Sequence, residues 1–162
     1  MTFPDFSTII SRESIDLTML LFLWLVQVII YPSFKEISKE SILRWHKAYQ
    51  FKIFIIMGPV MLFQFYVITF DVINSVSQVS IIRFLLLIAS WLLTVMVSVP
   101  LHRKIERNED LENSINKLIQ TNVPRTLTWT AIYLTHFLWQ ASTSVAFQNI
   151  IYVGMTVMKK CL

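Results

Sequence analysis

The sequence has a single cysteine, Cys161, and only two glycines, at positions 58 and 154. One thiol forms no intrachain disulfide, and Cys-Leu at the chain end is too short for a prenylation box. Two isolated glycines make no phosphate-cradling loop, and neither an HExxH run nor a nucleophile elbow occurs. All ten acidic residues fall outside or at the rims of the long apolar runs. That placement argues against a ferritin-like di-iron bundle, which needs inward carboxylates, and against a carboxylate-based proton pump. Charge is scarce altogether: 15% of the residues are charged, against about a quarter in ordinary soluble domains.

What fills the chain instead is apolar. Hydrophobic residues make up 55% and aromatics 14%, with a mean hydropathy of +0.59. Residues 15–34, 48–70 and 81–101 are apolar runs long enough to cross a bilayer. A fourth run, 128–158, carries no charged residue at all. At ~1.5 Å rise per residue a helix of that length exceeds the ~30 Å hydrocarbon core. The expectation is an all-α integral membrane four-helix bundle forming one domain over 1–162, with spans about 15–34, 48–70, 81–101 and 126–150. Lys52 and Arg83 lie near span ends, where their side chains are expected to snorkel to the headgroups. No internal repeat and no low-complexity tract interrupts the pattern.

Ten of the fourteen Lys and Arg residues fall in or beside segments 35–47 and 102–125. The excess of positive charge predicts that both segments are cytoplasmic, with both termini outside the cell membrane. The same placement explains the pI of about 9.3 by charges beside the bilayer rather than by nucleic acid. The first fifteen residues lack a basic start, apolar core and small-residue cleavage site, so span one is expected to act as its own insertion signal.

Between spans three and four the pattern changes. Asn108 is placed to cap a helix opened by Glu109 and Asp110, with Leu111, Ile115, Leu118 and Ile119 on one face. This predicts a short amphipathic helix over 109–120. Pro59 inside span two predicts a kink, Pro100 a bend near the exit of span three, and Pro124 the start of span four.

Polar residues recur at helical spacing inside the spans. The stripes are Trp24-Gln27-Tyr31, His46-Gln50, Trp91-Thr94-Ser98-His102 and Trp129-Tyr133-His136-Gln140. Lipid satisfies none of these donors and acceptors, so they are expected to converge on one another, on water or on a ligand. The candidate catalytic residues are His136 and His102. The candidate binding residues are His46, Gln50, Gln27, Tyr133, Gln140 and Arg125. His136, ~16 Å beyond Arg125 along the helix, is expected to floor a cavity ringed by His46, His102 and Arg125. His46 and His102 are also the only histidine pair at matching depth, as bis-imidazole haem ligation would need. Plainer readings stand beside these: interfacial histidines bonding loop backbone, an interhelical hydrogen bond at His136, topology charge at Arg125, and packing for the tryptophans and methionines.

The runs LLTVMVSVPLHRKIE and LIQTNVPRTLTWTA, within 92–131, resemble the anthrone-oxygenase-like membrane proteins. Pro100 and Arg125 match positions of that family's pattern, His102 stands where it has Asn, and a tryptophan shortly before the Arg is missing. The resemblance implies four spans around a flat apolar molecule. Two functions follow as expectations. One is an oxidoreductase-like protein holding an aromatic, quinone-like or haem ligand between its helices. The other is a non-catalytic subunit or assembly factor of a larger membrane complex.

Overall fold

The computed structural model describes the backbone of residues 11–143 and side chains through residue 136. Within them the chain is all-α, with no strand among the described residues. Four long helices follow one another: α1 (Arg12–Glu36), α2 (Lys39–Asn74), α3 (Gln78–Glu106) and α4 (Leu111–Thr143). Connections of a few residues make each antiparallel to the next, and they close into a ring in which α4 packs against both α3 and α1. Three of them, α1, α2 and α3, are long and apolar enough to cross a membrane. The expected fourth span, 126–150, is helical through Thr143, and its remainder lies outside the described residues.

Local chemistry sets the helix ends. Ser11 accepts the backbone N–H of Ser14 at 3.1 Å and opens α1. Ser77 and Ser80 form a reciprocal capping box at the start of α3, with bonds of 3.0 and 2.8 Å. The α3–α4 turn uses Asn108 (φ 55°) and Asp110 (φ 44°) in the left-handed region, which short polar side chains tolerate best after glycine. The amphipathic segment therefore begins at Leu111, two residues later than the capping pattern predicts, and Asn108 is a turn residue rather than its cap.

That segment is helical, but it does not end before the fourth span. The helix runs through Pro124 without a break. A proline inside a helix removes one donor and crowds the carbonyl four residues back. The amide of Gln27 on α1 donates to the Ile119 carbonyl at 3.2 Å and so ties α1 to α4 just before that proline. The apolar stripe is sheltered as its spacing predicts: Ile115 and Leu118 join a core of Val26, Tyr31, Phe34, Ile42, Leu101 and Ile105, with Leu111 and Ile119 packed against it.

A second core of Met19, Leu23, Met57, Ile68, Leu87, Trp129 and Ile132 holds the middle of the bundle. The outer faces stay apolar, with Leu21, Phe54, Ile55 and Leu85 all more than half exposed, as a lipid solvent favours. One expectation fails. Arg83 does not snorkel; it is 2% exposed and forms a 2.5 Å ion pair with Asp16 of α1, itself 2% exposed. Opposite charges at matching depth on two helices neutralise each other inside the bundle, so Asp16 is an interior residue rather than a rim one. Lys52 remains exposed.

Candidate functional site

Near one end of the bundle the helices deviate from regular geometry together. Residues Val26–Ile30 of α1 and Thr94–Ser98 of α3 are single wide π-turns, closed by Tyr31 N–H to the Val26 carbonyl and Val99 N–H to the Thr94 carbonyl. Pro32 and Pro100 follow at the same offset. A wider turn makes room for the carbonyl that each proline ring crowds. Pro59 lies inside continuous α2, and Pro124 lies inside continuous α4 immediately before Arg125.

These irregular turns meet around Arg125, whose side chain is buried. One terminal nitrogen donates to Ser98 Oγ and the other to Tyr31 Oη, each at 3.3 Å. Tyr31 is therefore presented by the turn after the first π-bulge, and Ser98 by the last residue of the second. Tyr31 Oη also lies 3.1 Å from His102 Nε2, and His102 Nδ1 lies 2.9 Å from His46 Nε2. Within each of these bonds one partner donates and the other accepts, so the His46–His102 bond requires at least one unprotonated ring nitrogen. The chain Tyr31–His102–His46 is thus able to hold and pass a proton. Arg125 Nε and His46 Nδ1 are buried without a hydrogen-bond partner. No carboxylate among the described residues pairs with Arg125; its partners are two neutral hydroxyls.

Beside this cluster lies a cleft of about 860 Å³ between α2 and α3, backed by α1 and α4. Tyr31, Tyr49, Ser98, His102 and Arg125 form its polar end, Gln50 flanks it, and Met57, Met61, Trp91 and Trp129 wall the rest. Gly58 and Pro59 line it from α2, where the missing side chain leaves space. Phe54, Ile55, Leu62 and Val95 line it too, and these are exposed on the outer surface. The mouth therefore opens sideways, through the apolar face of the bundle.

The polar residues singled out by the sequence do not all converge. His102, Gln50 and Arg125 line the cleft. His46 is fully buried behind His102 and orients it, with its ring edge against Phe34. Gln27 accepts from Asn122 at 2.7 Å, one turn before Arg125, and so braces α4 rather than the cleft. Tyr133 and His136 lie elsewhere: His136 sits 3.9 Å from Glu13, near the start of α1, and is not the floor of the cleft. Trp129 takes that place. The side chain of Gln140 lies outside the described residues. The common period of the α4 stripe follows one face, but eleven residues of helix carry His136 ~16 Å beyond Arg125, to another polar network.

A polar network at that end went unread in the sequence, which set Asp16 at a rim and Arg83 at the headgroups. Asp16 accepts from Arg83 and, at 2.8 Å, from Gln64 Nε2; Trp129 Nε1 donates to Gln64 Oε1 at 2.8 Å. Arg83 reaches the Ile132 carbonyl at 3.1 Å, and Arg12 grips Asp71 with bonds of 2.8 to 3.0 Å. The signal was one carboxylate and one guanidinium at the same depth in the first turns of two spans. Tyr49, by contrast, carries no sequence mark that separates it from an interfacial aromatic.

Haem does not suit the histidine pair. The two rings bond each other directly, leaving no space for an iron and porphyrin between them. Among the described residues no group of three or more His, Cys, Asp or Glu side chains converges as metal ligands. No family model, no curated protein and no solved structure matches this chain.

Proposed function

We propose that this membrane protein holds an apolar small molecule with a polar end in the cleft between α2 and α3. The observation that supports this most is the cleft itself. Its volume of about 860 Å³ falls in the upper range of ligand pockets, ~300–1,000 Å³, and its walls are apolar with a few polar groups gathered at one end. The resemblance of 92–131 to the anthrone-oxygenase-like proteins points to the same class of occupant, a flat apolar molecule, and of its two matching residues Arg125 lines the polar end while Pro100 follows the π-turn of α3. A quinone-like ring fits that description, with Tyr31, Tyr49, His102 and Arg125 available to its oxygens. The subunit reading draws less support, because side chains of this chain leave the cleft open.

Filling the cleft tests this directly. Gly58→Leu places a side chain into the lining without touching any polar group, and an added Cβ there meets only the Phe54 ring at 3.6 Å. The variant is expected to fold and to lose binding of a naphthoquinone or an amphiphile measured in nanodiscs. Unchanged binding by that variant would refute the cleft as the site.

The polar end is oriented towards the cytoplasm, following the basic residues of 35–47 and 102–125. In a Cys161→Ser background, a cysteine introduced at Ser77 should react with an impermeant thiol reagent from outside intact cells. One introduced at Asn113 should not. The reverse pattern would invert the orientation.

A further inference from the structure

We infer that the ligand of the cleft carries an oxyanion head, and that Arg125 binds it. The inference rests on the cleft being a ligand site and adds the charge of what enters. Six arginines lie among the described residues: Arg44, Arg103 and Arg107 are exposed, Arg12 is half-buried, and Arg83 and Arg125 are buried. Three of these meet a carboxylate, at 2.8 Å for Arg12–Asp71, 2.5 Å for Arg83–Asp16 and 3.8 Å for the exposed Arg107–Glu109. Arg125 is only 8% exposed, yet its partners are the hydroxyls of Ser98 and Tyr31. Its Nε is buried and bonded to nothing. Arginine cannot shed its proton, so a buried guanidinium without a counter-charge is unfavourable unless an anion completes it. The planar fork offers two adjacent donors to one carboxylate or phosphate, the arrangement in which this side chain binds oxyanions most strongly.

The rest of the cleft specifies the remainder of the molecule. Beyond the polar end its lining is Met57, Met61, Trp91, Trp129 and Leu23, which suits a hydrocarbon tail or a flat ring system. The mouth is framed by exposed Phe54, Ile55, Leu62 and Val95, so the tail enters from the acyl-chain region rather than from water. The occupant is a single-tailed amphiphile with an ionised carboxylate or phosphate head, taken sideways from the bilayer. Tyr31 and His102 stand beside that head, hydrogen-bonded to each other, with His46 bonded to His102 from behind.

Competition binding to the full chain in nanodiscs, with palmitate, hexadecyl phosphate, hexadecanol and a neutral naphthoquinone, tests the assignment. Either anion should bind at least about tenfold more tightly than hexadecanol, a difference of ~1.4 kcal/mol. Which anion binds more tightly separates a fatty-acid-like ligand from a phospholipid-derived one. Arg125→Gln should erase the preference, weakening both anions far more than hexadecanol, and Arg125→Lys should retain part of it. Equal binding of anions, alcohol and quinone by the unaltered protein would overturn the oxyanion head and leave the cleft standing. Binding of none of the four would overturn both. The comparison among ligands needs no variant, so it holds even if Arg125→Gln folds poorly.

Discussion

The two ends of this bundle treat buried charge in opposite ways. Around the start of α1 every buried guanidinium has a carboxylate: Arg83 has Asp16, and half-buried Arg12 has Asp71. Gln64 and Trp129 extend that network without leaving a gap. At the other end Arg125 is as enclosed as its counterparts but faces hydroxyls, imidazoles and an open cleft. The first arrangement is complete by itself and therefore structural. The second has no carboxylate among the described residues and borders an open cleft, the contrast on which the proposed oxyanion site rests. The irregular backbone follows the same division, since both π-turns lie at the open end.

If the contrast is real, removing charge should have unequal consequences. Asp16→Ala strands Arg83 in the interior, and losing one partner of a buried pair costs ~3–5 kcal/mol. Arg125→Gln removes a charge that nothing balances, and the ligand-free protein should change by less than about 1 kcal/mol or gain stability. Reversible unfolding in mixed detergent micelles compares the two, and equal losses would erase the distinction between the ends. Trp129→Phe probes the residue shared by both, because its ring floors the cleft while its N–H serves Gln64. An unpaired buried Gln64 oxygen should cost ~1–3 kcal/mol, measured in the same way, while ligand binding changes little. His136→Leu is the smallest and sharpest test. With His136 set against Glu13, cleft binding should shift by less than about twofold, ~0.4 kcal/mol. A large loss of binding would return His136 to the site.

Much of this was readable along the chain. The apolar runs marked the helices because only a segment long enough to cross hydrocarbon keeps so many side chains out of water. Leu111, Ile115, Leu118 and Ile119 marked one face by spacing, and that face is buried. The continuity of α4 through Pro124 was not readable, since a proline suits the first turn of a new helix as well as it marks a point inside a long one. Arg83 was misread for a similar reason: an arginine near a span end looks the same whether it reaches for headgroups or for a carboxylate on another helix.

The sequence by itself predicted a helical chain with four spans, three of which the described residues show as helices long and apolar enough to cross a bilayer, and polar stripes along their faces. Periodicity and length are local properties, and they survive without knowledge of neighbours. Only the tertiary structure decided which stripes meet. It separated His136 from His102 by their positions along the bundle axis, joined His102 to His46 and Tyr31, and gave Asp16 to Arg83 while setting Arg125 against the hydroxyls of Ser98 and Tyr31. Depth and azimuth of one helix against another are fixed by packing across the whole bundle, and no spacing within a single segment contains them.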